Sequence, residues 1–195
     1  RVAIKMTVNK RIGLLGGTFD PPHYGHMLMA ERAYEEMNLD EIWFIPSYIP
    51  PHKAEAKTDV SDRIKMLELA IVDRHCFYIE KLEIERQGKS FTIDTIKELQ
   101  KLNQDKEFFF IIGGDMVDYL PKWHRIDELS KLITFIGLKR QGFTMDSPYP
   151  VREVDMPVME ISSTDIRNRI EKGKSIRYLT SQRVIDYIKE KRLYQ

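Results

Sequence analysis

Apolar positions along the chain fall into two patterns: short unbroken runs, and runs spaced for one face of a helix. Unbroken runs occur at Ile42-Trp43-Phe44-Ile45, stopped by Pro46, at Phe108–Ile112 and at Leu132–Leu138. Runs of this kind suit strands covered on both faces, and a further strand is expected over Arg11–Leu15. Between them, Met27, Ala30, Tyr34 and Met37 recur at helical spacing, as do Ile64, Leu67 and Ala70/Ile71 within Asp62–Val72. Phe77–Ile84 alternates and predicts a strand, and Thr92–Leu102 predicts a helix. Tyr48–Lys57, with two adjacent prolines, reads as a surface loop. Met145–Val158 is the least regular stretch, and its three prolines suggest a link to a C-terminal helical part over Ser163–Lys172 and Ser181–Lys191.

Strands alternating with helices imply right-handed βαβ units. The expected fold class is therefore α/β: a doubly wound, Rossmann-like parallel sheet with a small helical C-terminal region. The expected organisation is an N-terminal tail over 1–10, an α/β core over 11–144 and a C-terminal region over 145–195, within a single structural domain. In open sheets of this kind, ligands bind at the carboxyl ends of the strands. Gly16-Gly17 and Gly113-Gly114 both follow strands there, which points to one site.

Composition narrows the ligand. A length of 195 residues suits one α/β domain, and 42% hydrophobic residues allow a real core. With 31 basic against 30 acidic residues the net charge is +1 and no basic stripe is visible, which argues against a nucleic-acid partner. Affinity for phosphate must then be local. The single cysteine, Cys76, excludes an intrachain disulfide and offers no metal framework. No apolar run approaches membrane length and the first ten residues lack the apolar stretch of a signal peptide, so a cytoplasmic protein without a membrane partner is expected.

Glycines at the first strand end let the backbone approach a ligand closely and offer N–H groups to an anion. A tight strand-to-helix turn would use them equally well. Neither common nucleotide signature fits, because the lysine of GxxxxGK[ST] and the third glycine of GxGxxG are both missing. In their place the helix start carries His23-x-x-His26. That separation puts both imidazoles on one face of the first turn, beside the positive end of the helix. Two donors aimed at phosphate oxygens would stabilise charge that builds up in phosphoryl chemistry. A zinc pair and a purely structural role are the alternatives; no third zinc ligand is evident. Farther on, Ser162-Ser163-Thr164-Asp165 is an ordinary helix-capping cluster or a phosphate site at a helix start, with Arg167 one turn in.

The segment Gly16-Gly17-Thr18-Phe19-Asp20-Pro21-Pro22-His23-Tyr24-Gly25-His26 resembles the GG[ST]FDPxHxGH signature of the HxGH nucleotidyltransferase superfamily. Ile161-Ser162-Ser163-Thr164-Asp165-Ile166-Arg167 resembles its ISSTxIR motif. Three further segments resemble the bacterial nicotinate-nucleotide adenylyltransferase branch: Gly88–Thr95, with Phe91 in place of the usual tyrosine; Gly113-Gly114-Asp115 followed by Trp123; and Pro50-Pro51-His52-Lys53. The resemblance runs from Arg11 onward.

The resemblance implies transfer of the adenylyl group of ATP to nicotinate mononucleotide, giving deamido-NAD and pyrophosphate, without a covalent enzyme intermediate. It makes His23, His26 and Arg167 the catalytic residues. ATP would be held by Gly16, Gly17, Thr18, Phe19, His23, His26, Gly114, Asp115, Arg140, Ser162, Ser163, Thr164 and Arg167. The nicotinate nucleotide would be held by Gly17, Lys53, Thr92, Tyr119 and Trp123. In that scheme Asp115 bonds a ribose hydroxyl, Trp123 stacks on the pyridine ring and Thr92 supplies backbone contacts to its carboxylate. Mg²⁺ is expected to travel with ATP, with no metal site of the protein's own, and family precedent allows a homodimer. Bland readings stand beside these roles. Trp123 would serve as a packing anchor, Thr92 would simply begin a helix, and Lys53 and His52 would be solvated. His75 and His124 read as surface or packing residues, and Lys189–Arg192 as a solvated helix face. Two other functions fit the phosphate motifs. A phosphopantetheine or cytidylyl transferase of the superfamily would lack the Ser90–Thr95 and Trp123 pattern, and a non-catalytic nucleotide sensor would not need a clamp for the leaving group.

Overall fold

A computed structural model of the chain describes residues 9–49, 56–139 and 145–195. Six strands form one sheet: β1 (Lys10–Gly17), β2 (Glu41–Pro46), β3 (Phe77–Ile79), β4 (Lys106–Gly113), β5 (Thr134–Lys139) and β6 (Val151–Asp155). The order across it is β3-β2-β1-β4-β5-β6, and every neighbouring pair is parallel. The chain winds outward from β1 through α1 (Tyr24–Glu36) to β2 and through α2 (Val60–Ile71) to β3. It then passes through α3 (Leu82–Arg86) and α4 (Thr92–Leu102) to β4 on the other side of β1. From there α5 (Gly114–Val117), a short 3-10 turn (Leu120–Lys122) and α6 (Ile126–Leu132) lead to β5. This is the expected doubly wound α/β fold, and the winding direction reverses between β1 and β4.

Unbroken apolar runs are what a sheet buried on both faces demands. Alternate residues of one run serve opposite layers. Leu15, Phe44, Phe109 and Ile111 pack with Ala30 and Ala33 of α1 and Leu67 of α2. Leu14, Ile45, Phe108, Phe110 and Ile112 pack with Ile93, Ile96 and Leu99 of α4 and Leu129 of α6. A third cluster joins α2 to the last two helices, α7 (Ser163–Glu171) and α8 (Gln182–Lys191), through Met66, Ile166, Val184, Ile185 and Ile188. The small helical C-terminal region is thus seated against the α2 side of the sheet. No described helix is long and apolar enough to cross a membrane.

Two readings of the pattern need correction. Phe77–Ile84 is not one strand: only Phe77–Ile79 pairs with β2, and Leu82–Arg86 turns helical. The Glu80 carboxylate accepts the Leu82 N–H at 3.0 Å, which turns the chain there. The sheet also does not stop at 144. Val151–Asp155 pairs with β5 as its edge strand, although of its side chains only Val154 is buried. The stretch read as an irregular link therefore carries the sixth strand.

Candidate active site

Gly16 and Gly17 close β1, and Gly113 and Gly114 sit where β4 passes into α5, so both glycine pairs lie at the carboxyl ends of the two strands flanking the reversal. Strand ends that diverge on either side of such a point leave a crevice for a ligand. Gly16 is exposed there. At Gly113 a Cβ would come within 2.6 Å of the Asp115 carboxylate, so the glycine leaves that side chain room to lie against the strand end. The Asp115 side chain is exposed beside it.

The turn after β1 is built from within. Phe19 has φ of 53°, a left-handed conformation unusual for a side chain of this size, and the residue is only 1% exposed. It packs edge-on against Phe44 and against His26, with ring centroids 5.8 and 4.9 Å apart. The side chain of Phe19 is therefore core.

His23 is the N-cap of α1 and His26 its third residue. The two imidazoles stack with centroids 3.7 Å apart and planes 25° apart, as their spacing predicts. His26 Nδ1 accepts the His23 backbone N–H at 3.2 Å, a reciprocal capping bond with histidine in the place usually taken by Glu or Gln. An accepting Nδ1 leaves the neutral ring's proton on Nε2, as a donor on the far side of the ring. His23 is only 7% exposed and His26 half-buried, so His26 is the more accessible of the pair. Gly25 lies between them because a Cβ there would come within 2.9 Å of the His23 ring.

The second motif reaches this turn directly. Ser162 caps α7, its Oγ accepting the Asp165 N–H at 3.0 Å, so the capping reading is correct for that residue. Ser163 Oγ instead donates to the Pro21 carbonyl at 2.8 Å. Arg167 Nη1 donates to the Asp20 carbonyl at 2.8 Å, and Nη2 to Thr164 Oγ1 at 3.1 Å. Thr180 Oγ1 donates to the Pro22 carbonyl at 2.8 Å. The C-terminal region thus holds three successive carbonyls of the histidine turn and brings the N-terminus of α7 against it.

Sequence reasoning passed over the residues beneath the turn. Asp20 is 2% exposed, and its carboxylate accepts from the Lys57 N–H at 2.6 Å, Thr58 Oγ1 at 2.7 Å and the Tyr194 hydroxyl at 2.5 Å. Arg63, from α2, is 1% exposed, and its Nη1 donates to the carbonyls of Thr18 at 2.8 Å and Ser47 at 2.9 Å. Burial lowers the Arg63 pKa from its usual value, and nearby Asp20 opposes that shift; a guanidinium stays charged all the same. Asp20 belongs to the first signature. Arg63 had a weaker signal, a lone cation on the apolar face of a predicted helix.

Burial and the bond to Asp20 together push the Tyr194 hydroxyl far above the usual tyrosine range. Its stabilising contribution is complete below the unfolded tyrosine's pKa near 10 and is lost as pH rises beyond it. Tyr187, pushed up to about 12 by its bond to Asp62 and by burial, behaves alike. Tyr194→Phe should lower stability near neutral pH by about 1–2 kcal/mol, the worth of one hydrogen bond to a carboxylate. Above pH 10 the gap to the parent should narrow, while Tyr187 keeps a residual slope in both. Thermal melts across pH 7–11 check this; a constant gap would count against the assignment.

The opposite face carries the remaining predicted residues. Thr92 opens α4, whose entry is fixed by a buried polar cluster: Arg86 Nη1 donates to Ser90 Oγ at 3.3 Å and Thr95 Oγ1 at 3.2 Å, and Thr95 Oγ1 donates to Glu83 at 2.8 Å. Burial raises the Glu83 pKa above the usual carboxylate range. Lys89 bridges to Ile49 just beyond β2, which places the α4 entry beside the end of that strand. Trp123 packs edge-on against Phe110 and Phe135 with centroids 5.8 and 5.9 Å away, so it is in part a core anchor. Tyr119 is exposed, with Lys122 Nζ 4.7 Å from its ring centroid. His124, read as a surface or packing residue, packs against Phe91 with ring centroids 4.3 Å apart and planes tilted by 32°. Pro50, Pro51, His52, Lys53 and Arg140 lie outside the described residues. Among the described residues, no group of three or more His, Cys, Asp or Glu side chains is placed to share a metal ion.

Donors from both ends of the chain meet at the switch point of a parallel sheet, which defines the class: an α/β protein that handles a phosphorylated ligand. The cytidylyltransferase-like family model matches residues 14–169. Within that class, the chain belongs to the nicotinate-nucleotide adenylyltransferase family. It is 55% identical to a probable nicotinate-nucleotide adenylyltransferase of Geobacillus thermodenitrificans over 185 residues, 94% of this chain and 86% of that protein. It is 49% identical to one of Enterococcus faecalis over 193 residues, 98% of this chain and 88% of that one. Among solved structures, a Plasmodium falciparum nicotinic acid mononucleotide adenylyltransferase complexed with NaAD superposes with a TM-score of 0.81 at 24% identity, covering 95% of this chain and 97% of the other. That likeness shows the fold.

Proposed function

We infer that this chain transfers the adenylyl group of ATP to nicotinate mononucleotide, releasing pyrophosphate and deamido-NAD. The observation that carries the chemistry is the pair of bonds from Arg167 and Ser163 to the Asp20 and Pro21 carbonyls, which holds the ISSTxIR helix against the histidine turn. The choice of acceptor rests on the relatives, among them one 55% identical over 94% of this chain.

The mononucleotide phosphate attacks the α-phosphorus of ATP in line, and pyrophosphate leaves. Nucleophile and leaving group are both ionised near neutral pH, so catalysis is positioning and charge stabilisation. ATP enters as its magnesium complex, the ion being part of the substrate. His26 Nε2–H faces the reacting phosphate, with His23 stacked behind it. Ser163, Thr164 and Arg167 take the departing phosphates at the positive end of α7. The entry to α4 at Thr92 receives the ring carboxylate, and the indole of Trp123 the pyridine ring.

Pyrophosphate release assayed with ATP and a panel of mononucleotides tests the assignment. Turnover with nicotinate mononucleotide is expected. Preference for a phosphopantetheine or cytidylyl acceptor, or no turnover with any, would overturn it. Trp123→Ala should raise KM for nicotinate mononucleotide about tenfold, in line with about 1–3 kcal/mol per stacked base, and affect KM for ATP little. Because Trp123 also packs on Phe110 and Phe135, Tm should fall too, and Trp123→Phe should recover most of both. Equal rises in the two KM values would remove the stacking role.

A further inference from the structure

Arg63 is an unusual residue to bury. It is 1% exposed, and among the described residues its guanidinium bonds no carboxylate, only the carbonyls of Thr18 and Ser47. Those two carbonyls lie just beyond β1 and β2, and Ser47 N–H in turn donates to the Gly17 carbonyl at 2.9 Å. One cation therefore ties together the two strand ends that form one wall of the crevice. Burying a charge is costly, and here two neutral carbonyls and the nearby charge of Asp20 offset it, where an apolar side chain of similar volume would carry no such cost.

Peptide geometry shows what the arrangement achieves. In a trans peptide the C=O and the next residue's N–H point in opposite directions. Thr18 C=O is drawn to Arg63, so the Phe19 N–H points away from that guanidinium. Among the described residues no acceptor takes that N–H. The Phe19 ring itself is buried against Phe44 and His26.

We propose that Arg63 is a positioning residue for the nucleotidyl-transfer site: by holding the Thr18 carbonyl it aims the Phe19 backbone N–H at a phosphate of the bound nucleotide. Its retained positive charge lies behind the same peptide and strengthens that N–H as a donor. The assignment rests on the adenylyl-transfer reading but not on the identity of the acceptor, since pyrophosphate alone probes it.

The experiment titrates pyrophosphate into ¹⁵N-labelled parent, Arg63→Lys and Arg63→Met proteins, with steady-state kinetics on each. In the parent, the Phe19 amide resonance should move on binding. Arg63→Met should fold, lose that response and bind pyrophosphate at least about tenfold more weakly, a loss of the size expected for one hydrogen bond. Its KM for ATP should rise while KM for the mononucleotide stays within about twofold. Arg63→Lys should recover part of each, since an ammonium can reach one carbonyl but lacks the fork. A Phe19 amide that ignores pyrophosphate in the parent overturns the proposal. So does an Arg63→Met protein, or Arg63→Lys if the former does not fold, with parental pyrophosphate affinity and KM values. Equal weakening toward both substrates with a lowered Tm would make Arg63 purely structural, which also overturns it. A parent protein that binds pyrophosphate through Phe19 but turns over no nicotinate mononucleotide would instead sink the preceding reading alone.

Discussion

Replacing His26 with glutamine should leave the fold intact and lower kcat by about 10²–10³-fold, the usual loss when one donor to developing charge is removed. The structure supplies the reason for choosing glutamine. His26 occupies the third position of α1, and its Nδ1 caps the His23 N–H. Glutamine is a normal residue at that position of a capping box, so it keeps the structural bond. It removes the ring that carries Nε2–H on the far side. His26→Ala loses both, and should show the same kinetic defect with up to about 1 kcal/mol less stability. Comparing the two variants separates the helix cap from the chemistry. Near-parental turnover in a well-folded His26→Gln protein would remove this side chain from the reaction and leave it a capping residue.

The histidine turn was legible in sequence because everything it needs is local: a glycine pair, an aromatic, Asp-Pro and two histidines three apart. Their stacking is a consequence of helical geometry alone. The long runs such as Phe108–Ile112 were legible for a similar reason, since burial on both faces leaves no polar interruption. Val151–Asp155 escaped because an edge strand with a single buried side chain carries almost no apolar signal, and prolines on either side read as loop. Phe77–Ile84 reads as one strand because alternation continues past the point where the Glu80 carboxylate accepts the Leu82 N–H, and that local side-chain bond overrides a short apolar period.

The deeper layer of the site was out of reach for a different reason. Asp20 meets Tyr194, and Arg63 meets Thr18, across long separations in the chain. A lone arginine on a helix and a tyrosine near the end of the sequence look the same whether solvated or buried. The packing of α2, α7 and α8 around Met66, Ile166 and Ile188 decides the matter. Motif residues in direct reach of a ligand leave a spacing in the sequence. The residues that hold them in place leave none.

Arg167 is where these two layers meet, and its replacement should have the second large effect. Arg167→Met should lower kcat by about 10²-fold and raise the inhibition constant of pyrophosphate by a comparable factor, because the leaving group loses a charged donor. The same guanidinium holds the Asp20 carbonyl and Thr164 Oγ1, so a displaced turn is a second source of loss. Arg167→Lys distinguishes the contributions. It keeps the charge near the departing phosphates but not the planar fork that serves two acceptors at once. If charge at the leaving group dominates, the lysine protein should recover pyrophosphate affinity to within about tenfold of the parent. If holding the turn dominates, lysine should fare no better than methionine, and Tm should fall in both. Inhibition by pyrophosphate unchanged in Arg167→Met would exclude the clamp outright. The two motifs would then be joined only to shape the histidine turn, and the departing phosphates would rest on Ser163, Thr164 and the N-terminus of α7 alone.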